Sequence, residues 1–132
     1  MNVQQVIEEI NNLSDELEPD DIVLPFINDA ISAINVECDS NFPTFTMEDL
    51  EEEIPLPEKW IRTLIIPFGV GRIKQRDSSE FEYTNAYREF QHNLDTFKAK
   101  YDIPEEYQDE EGSNSSYEST IYQEPPYRWW NW

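Results

Sequence analysis

The sequence is short of the residues that most enzyme chemistry needs. Its 132 residues hold one cysteine, Cys38, and one histidine, His92. A single cysteine excludes an intramolecular disulfide and fits a reducing compartment. One Cys and one His also exclude zinc sites, which want several of these ligands at set spacings. Cys38 lies between Glu37 and Asp39, neighbours that raise a thiol pKa and blunt its nucleophilicity, so a small packed role is expected. His92 reads as an ordinary, partly exposed histidine rather than a general base. Glycine is scarce too, with three residues. Gly69-Val70-Gly71 lacks the third glycine, preceding strand and lysine of a phosphate-cradling turn, and reads as helix softening or close packing. The N-terminal MNVQQVIEEI has no basic or apolar leader region, so no secretory signal is expected. The longest apolar run, Ile61 to Val70, is broken by Arg62, Thr63 and Pro67 and is too short to span a bilayer. These absences predict a soluble, non-enzymatic protein without cofactor, metal or membrane span, cytoplasmic when made.

Positive charge is missing from the first 58 residues, which carry 16 acidic side chains and no Lys or Arg. Residues 59–100 carry 8 basic and 5 acidic residues, and residues 101–132 carry 1 basic and 8 acidic, giving −16, +3 and −7 and the total of −20. A cationic middle thus lies between two anionic flanks, which it can attract within one chain or between copies. Free nucleic acid should be repelled by most of the surface, because phosphate binding needs a basic face. The acidic run from Glu48 through Asp49, Glu51, Glu52 and Glu53 lacks the spacing and central glycine of a calcium loop. It reads as a solvated loop, or as one that meets Arg72, Lys74 and Arg76 of an adjacent subunit.

What is present points to helices. Val3, Val6, Ile7, Ile10, Leu13 and Leu17 recur at helical steps and predict a first helix over 3–17. Pro19 breaks it, with Asp20 or Asp21 as the next N-cap. A second helix is expected over 21–38, with the stripe Ile22, Val23, Phe26, Ile27, Ala30, Ile31 and Ile34. The pattern dissolves from Asp39 to Pro57, where at most one helical turn is expected. A third helix begins at Pro57 or Glu58 and buries Trp60, Ile61, Leu64, Ile65 and Phe68. Pro67 should bend it or open it locally. Ser79 and Glu82 have the spacing of a capping box for the fourth helix. There Tyr83, Tyr87, Phe90, Leu94, Phe97 and Tyr101 form a seam over ~28 Å of helix, closed by Pro104. The seam reads as core. The fold class is therefore all-α, a small antiparallel bundle of about four helices over 1–102.

Residues 103–132 read as an extended, acidic C-terminal arm that is unusual in its aromatics. Disordered acidic segments normally lack Trp and Tyr, yet this one holds Tyr117, Tyr122, Tyr127, Arg128, Trp129, Trp130 and Trp132. Such residues dominate binding hot spots because each buries a large rigid surface and keeps a polar handle. Capture by a partner is the preferred reading of the arm, which fully extended from residue 105 would reach ~90 Å.

The layout resembles the head–tail connector, or adaptor, proteins of tailed bacteriophages. The resemblance rests on a short first helix, then Asp20-Asp21-Ile22 opening IVLPFINDAISAI, and a proline-bearing loop. Leu56-Pro57-Glu58-Lys59-Trp60 then leads into IRTLIIPFGVGRI, and EYTNAYREFQHNL completes the domain. It covers roughly residues 1–102 and is one of pattern rather than of a diagnostic motif. It implies a structural component of the virion neck: a ring-shaped homo-oligomer, of twelve copies by that resemblance, joining portal and tail or neck proteins. Tyr122, Tyr127, Trp129, Trp130 and Trp132 would carry attachment to the portal. The 48–53 loop would face the lumen or the next component, and DNA would pass without specific binding. Pro67 within the third helix and the long arm depart from that pattern. The competing reading is an acidic regulatory binder, a DNA mimic that inhibits a host nucleic-acid enzyme. The basic 59–100 segment weighs against it.

Overall fold

The N-terminal stripe folds as its spacing predicts and then stops early. In the computed structural model, which describes residues 1–76 and 80–109, α1 (Val3–Ser14) buries Val3, Val6, Ile7 and Ile10. Asn2 caps it: its side chain accepts from the Gln5 backbone N–H at 2.8 Å, and Gln5 Oε1 accepts from the Asn2 N–H at 2.9 Å. This reciprocal pair satisfies two amides that a helix start leaves open. The expected run to residue 17 ends instead at Ser14, because Asp15 turns left-handed (φ 61°) and returns its N–H to the carbonyls of Asn11 and Asn12. The Asn11 carboxamide then holds the Glu18 backbone in both directions, at 3.1 and 3.2 Å. Leu13 and Leu17, expected on the apolar stripe, are consequently 60% and 93% exposed.

α2 (Asp20–Cys38) buries Val23, Leu24, Ile27, Ala30, Ile31 and Ile34. Pro19, not an aspartate, occupies the N-cap position; Asp20 and Asp21 lie in the first turn, where negative charge suits the helix dipole. Beyond α2 the chain makes the one expected turn, a 3₁₀ turn at Met47–Asp49.

α3 (Glu58–Trp60), a π-helical turn (Ile61–Ile65) and α4 (Ile66–Arg76) follow one another without a break. The opening expected of Pro67 is the π turn just before it. Proline has no N–H to give the Thr63 carbonyl, and that carbonyl instead accepts from Asn93 Nδ2 of α5 (Glu80–Lys100) at 3.4 Å. α4 is the hub and packs against α1, α2 and α5. Its two glycines make this possible. A Cβ on Gly69 would stand 2.5 Å from Ile10 Cδ1, and one on Gly71 would stand 2.8 Å from Ala86 Cβ. Close packing, rather than softening, is therefore their role.

The α5 seam is buried only in its second half. Phe90, Leu94 and Phe97 are core, whereas Tyr87 is 44% exposed. Trp60 meets the Phe97 ring edge-on at 5.1 Å, Phe68 meets Phe90 at 4.8 Å, and Tyr101 stacks on Phe97 at 5.0 Å. The described residues are all-α and contain no strand, only the isolated bridges Asn2–Glu53 and Ser40–Gln108. Among them no helix is long and apolar enough to cross a membrane. The Ser79–Glu82 capping box lies outside what is described, since residues 77–79 are not part of it.

Candidate interaction surfaces

The charge asymmetry of the sequence closes on itself in three dimensions. Arg62 Nη1 meets Glu9 at 3.1 Å, Arg72 meets Asp29 at 2.8 Å, and Arg76 meets Glu18 at 2.9 Å. Lys98 reaches Glu37 at 3.7 Å. In each pair a cation of the 59–100 segment is matched by a carboxylate from the first 58 residues. Arg62 also takes Glu58 at 2.8 Å; this pairing lowers the Glu58 pKa and, with Glu9, raises that of Arg62. Arg72 is further held by ring faces, its guanidinium lying 4.8 Å from the Phe68 centroid and 5.7 Å from that of Phe26. Exposed pairs contribute little to stability. Their consequence is for the surface, where four cations of the 59–100 segment are matched locally and a surplus of carboxylates is left.

That surplus includes Glu48, Glu51 and Glu52 of the acidic loop, whereas Glu53 meets the N-terminal ammonium at 3.2 Å. Glu48, Glu51, Glu52 and Glu53 are exposed, but their backbone is fixed. The Leu50 and Glu52 carbonyls accept from Gln4 N–H (2.9 Å) and Val3 N–H (3.0 Å) of α1, and Ile54 N–H donates to Met1 O at 3.0 Å. Asp49 turns inward to its own loop and accepts from Thr46 N–H at 2.8 Å and Thr46 Oγ1 at 3.0 Å. The loop therefore supplies acceptors for open amides of α1 while presenting glutamates outward. Of the basic residues expected to meet it across a subunit boundary, Arg72 and Arg76 have partners within the chain, and Lys74 is also engaged.

At the opposite end of the sequence, residues 103–109 lie on the body rather than leaving it. After a 3₁₀ turn at Glu105–Tyr107, the Tyr107 carbonyl accepts from Asn41 N–H at 2.7 Å, and Asp109 N–H donates to Asp39 O at 3.1 Å. The Tyr107 ring stacks on Phe42 with centroids 4.9 Å apart. A cleft of about 490 Å³ opens beside this contact, lined by Cys38, Asp39, Tyr101, Asp102, Gln108 and Asp109 among others. Cys38 is half-buried there, and its thiol pKa is raised chiefly by burial; Lys98 opposes the shift, and Glu37 and Asp39 add to it. His92 is exposed. Among the described residues no group of three or more His, Cys, Asp or Glu is placed to hold a metal ion. The arm residues Tyr117, Tyr122, Tyr127, Arg128, Trp129, Trp130 and Trp132 lie outside the described residues.

Sequence reasoning missed the side chains that shape the 40–46 segment. Asn35 Nδ2 donates to Phe42 O at 3.0 Å while its Oδ1 accepts from Phe42 N–H at 2.9 Å. Asn28 treats Phe45 in the same way at 2.8 and 2.9 Å. Ser40 Oγ completes the set by donating to Asn35 Oδ1 at 2.9 Å. The readable signal is a pair of asparagines two helical turns apart on α2, facing two phenylalanines three apart in a loop.

Comparison with protein-family models, with curated proteins and with solved structures gives no match to this chain.

Proposed function

We propose that this chain is a structural, non-enzymatic component of a tailed-phage virion. In this reading it is a ring-forming head–tail connector that attaches to the portal and helps join the tail, sitting at the neck. The observation that carries the reading is the pairing of Arg62, Arg72, Arg76 and Lys98 with carboxylates of the first 58 residues. A helical body with its cations engaged in this way presents an anionic surface, past which DNA slides without adhering. It is also a platform for the acidic segment that follows Asp109, whose Tyr122, Tyr127, Trp129, Trp130 and Trp132 supply the attachment. The partners are portal and neck proteins together with further copies of the chain, with no cofactor. Deleting residues 123–132 is expected to abolish co-purification with the portal protein while the helical signal in circular dichroism is retained. Undiminished portal binding by the truncated chain would sink the attachment role.

The same charge pairing also favours the second reading, an acidic DNA mimic that inhibits a nucleic-acid enzyme, because it sets four cations of the 59–100 segment against carboxylates and so reduces the basic patch that weighed against it. Tight inhibition of a DNA enzyme by the 1–122 truncation would favour that reading over the connector.

A further inference from the structure

The docking of residues 103–109 runs against local electrostatics. Residues 101–109 carry four carboxylates, Asp102, Glu105, Glu106 and Asp109, and no lysine or arginine. They settle where α2 and α5 both end, and a helix C-terminus carries partial negative charge from its open carbonyls. Glu37 and Asp39 add full charges on the α2 side, and Asp39, Asp102 and Asp109 line one cleft. Lys98 and Lys100 lie in the last turn of α5, Lys98 is already engaged with Glu37, and Asp109 is engaged as well, so the charge set against α2 is that of Asp102, Glu105 and Glu106. Against this stand two backbone hydrogen bonds, one ring stack, and the partial burial of Ile103 and Tyr107 at the core's edge. The link to α5, residues 101–104, has no helical bonding of its own to break on release beyond the Tyr101 N–H bond to Phe97 O at 2.8 Å.

We propose that residues 103–109 form a latch that ionic strength closes. With little salt, like charge lifts the segment from α2. When that charge is screened, the ring stack and the two backbone bonds hold. Opening lengthens the C-terminal segment by seven residues, roughly 23 Å of extended chain. It also bares the Phe42 ring, the Asn41 N–H and the Asp39 carbonyl. The latch is a property of the body alone and does not depend on the connector reading.

Amide hydrogen exchange on the full chain tests it, at about 30 mM and about 500 mM NaCl, between which the Debye length falls from roughly 18 Å to roughly 4 Å. Protection of the peptide covering 103–109 is expected to rise about threefold with salt, relative to the peptide containing Phe90, Leu94 and Phe97. The triple variant Asp102→Asn/Glu105→Gln/Glu106→Gln should show the high-salt protection already at low salt. Tyr107→Ala should leave the segment unprotected at both. Equal protection of the wild-type segment at both salts overturns the latch, as does a triple variant with an undiminished salt response.

Discussion

The Asn28 carboxamide and the Phe45 backbone bind one another twice, at 2.8 and 2.9 Å, as two strands of a sheet would. With Asn35 doing the same to Phe42, α2 offers a loop the hydrogen-bonding edge that helices otherwise lack. The benefit is the burial of Phe42 and Phe45, which are 3% and 8% exposed, since their own N–H and C=O groups enter the interior already satisfied.

Replacing either asparagine with leucine therefore strands two backbone groups. Asn28→Leu and Asn35→Leu are each expected to destabilise the fold by about 1–3 kcal/mol, read as a lower urea midpoint at unchanged slope. Asn12→Ala, at an exposed position, is the control and should shift the midpoint little.

The two glycines of α4 respond differently to alanine. At Gly71 the added methyl meets Ala86 Cβ at 2.8 Å, an atom fixed to its backbone. Helix propensity favours alanine by about 1 kcal/mol, but overpacking costs about 1–3 kcal/mol, so Gly71→Ala is expected to destabilise. Ala86→Gly should partly rescue it, giving a measurable coupling in a double-mutant cycle. At Gly69 the obstacle is the buried Ile10 side chain, with Cδ1 at 2.5 Å and Cγ1 at 3.1 Å, whose terminal methyl can turn aside where Ala86 Cβ cannot. Gly69→Ala is expected to destabilise less than Gly71→Ala.

Pro67 and Asn93 are linked through the Thr63 carbonyl. Asn93→Ala removes the donor that stands in for the amide proline lacks, and is expected to cost on the order of 1 kcal/mol. In a Pro67→Ala background, where residue 67 regains its N–H, the same substitution should cost measurably less. Equal costs in the two backgrounds, measured by thermal or denaturant unfolding, would show the two residues to be independent.

The Cys38 thiol is expected to alkylate slowly. Burial raises its pKa, so the reactive thiolate is depleted at any given pH relative to an unfolded cysteine. The rate of iodoacetamide labelling against pH should rise at higher pH in the native protein than in urea. Lys98→Met removes the one charge that lowers this pKa and should move the profile higher still.

Periodicity was enough to place the helices and most of the core, because a stripe such as Val3–Val6–Ile7–Ile10 has one way to be buried. It failed at Leu13 and Leu17, where a left-handed aspartate and the Asn11 side chain override the repeat. It also mistook Tyr87 for interior: that ring is 44% exposed, although Ala86 beside it packs closely on Gly71. Charge segregation was legible by counting, yet the particular pairs were not, because Glu9–Arg62 or Asp29–Arg72 join residues far apart in the chain. The docking of Tyr107 on Phe42 had no local signature either. Its sequence is merely acidic and proline-marked, and what it binds is a loop shaped by two distant amides.

Since α4 packs against α1, α2 and α5 alike, no single edge of the domain can come away without involving it. Phe68, Gly69, Gly71 and Ile73 of α4 are all buried, so a change that unseats this helix loosens its three neighbours together and makes loss of structure in the body a concerted event.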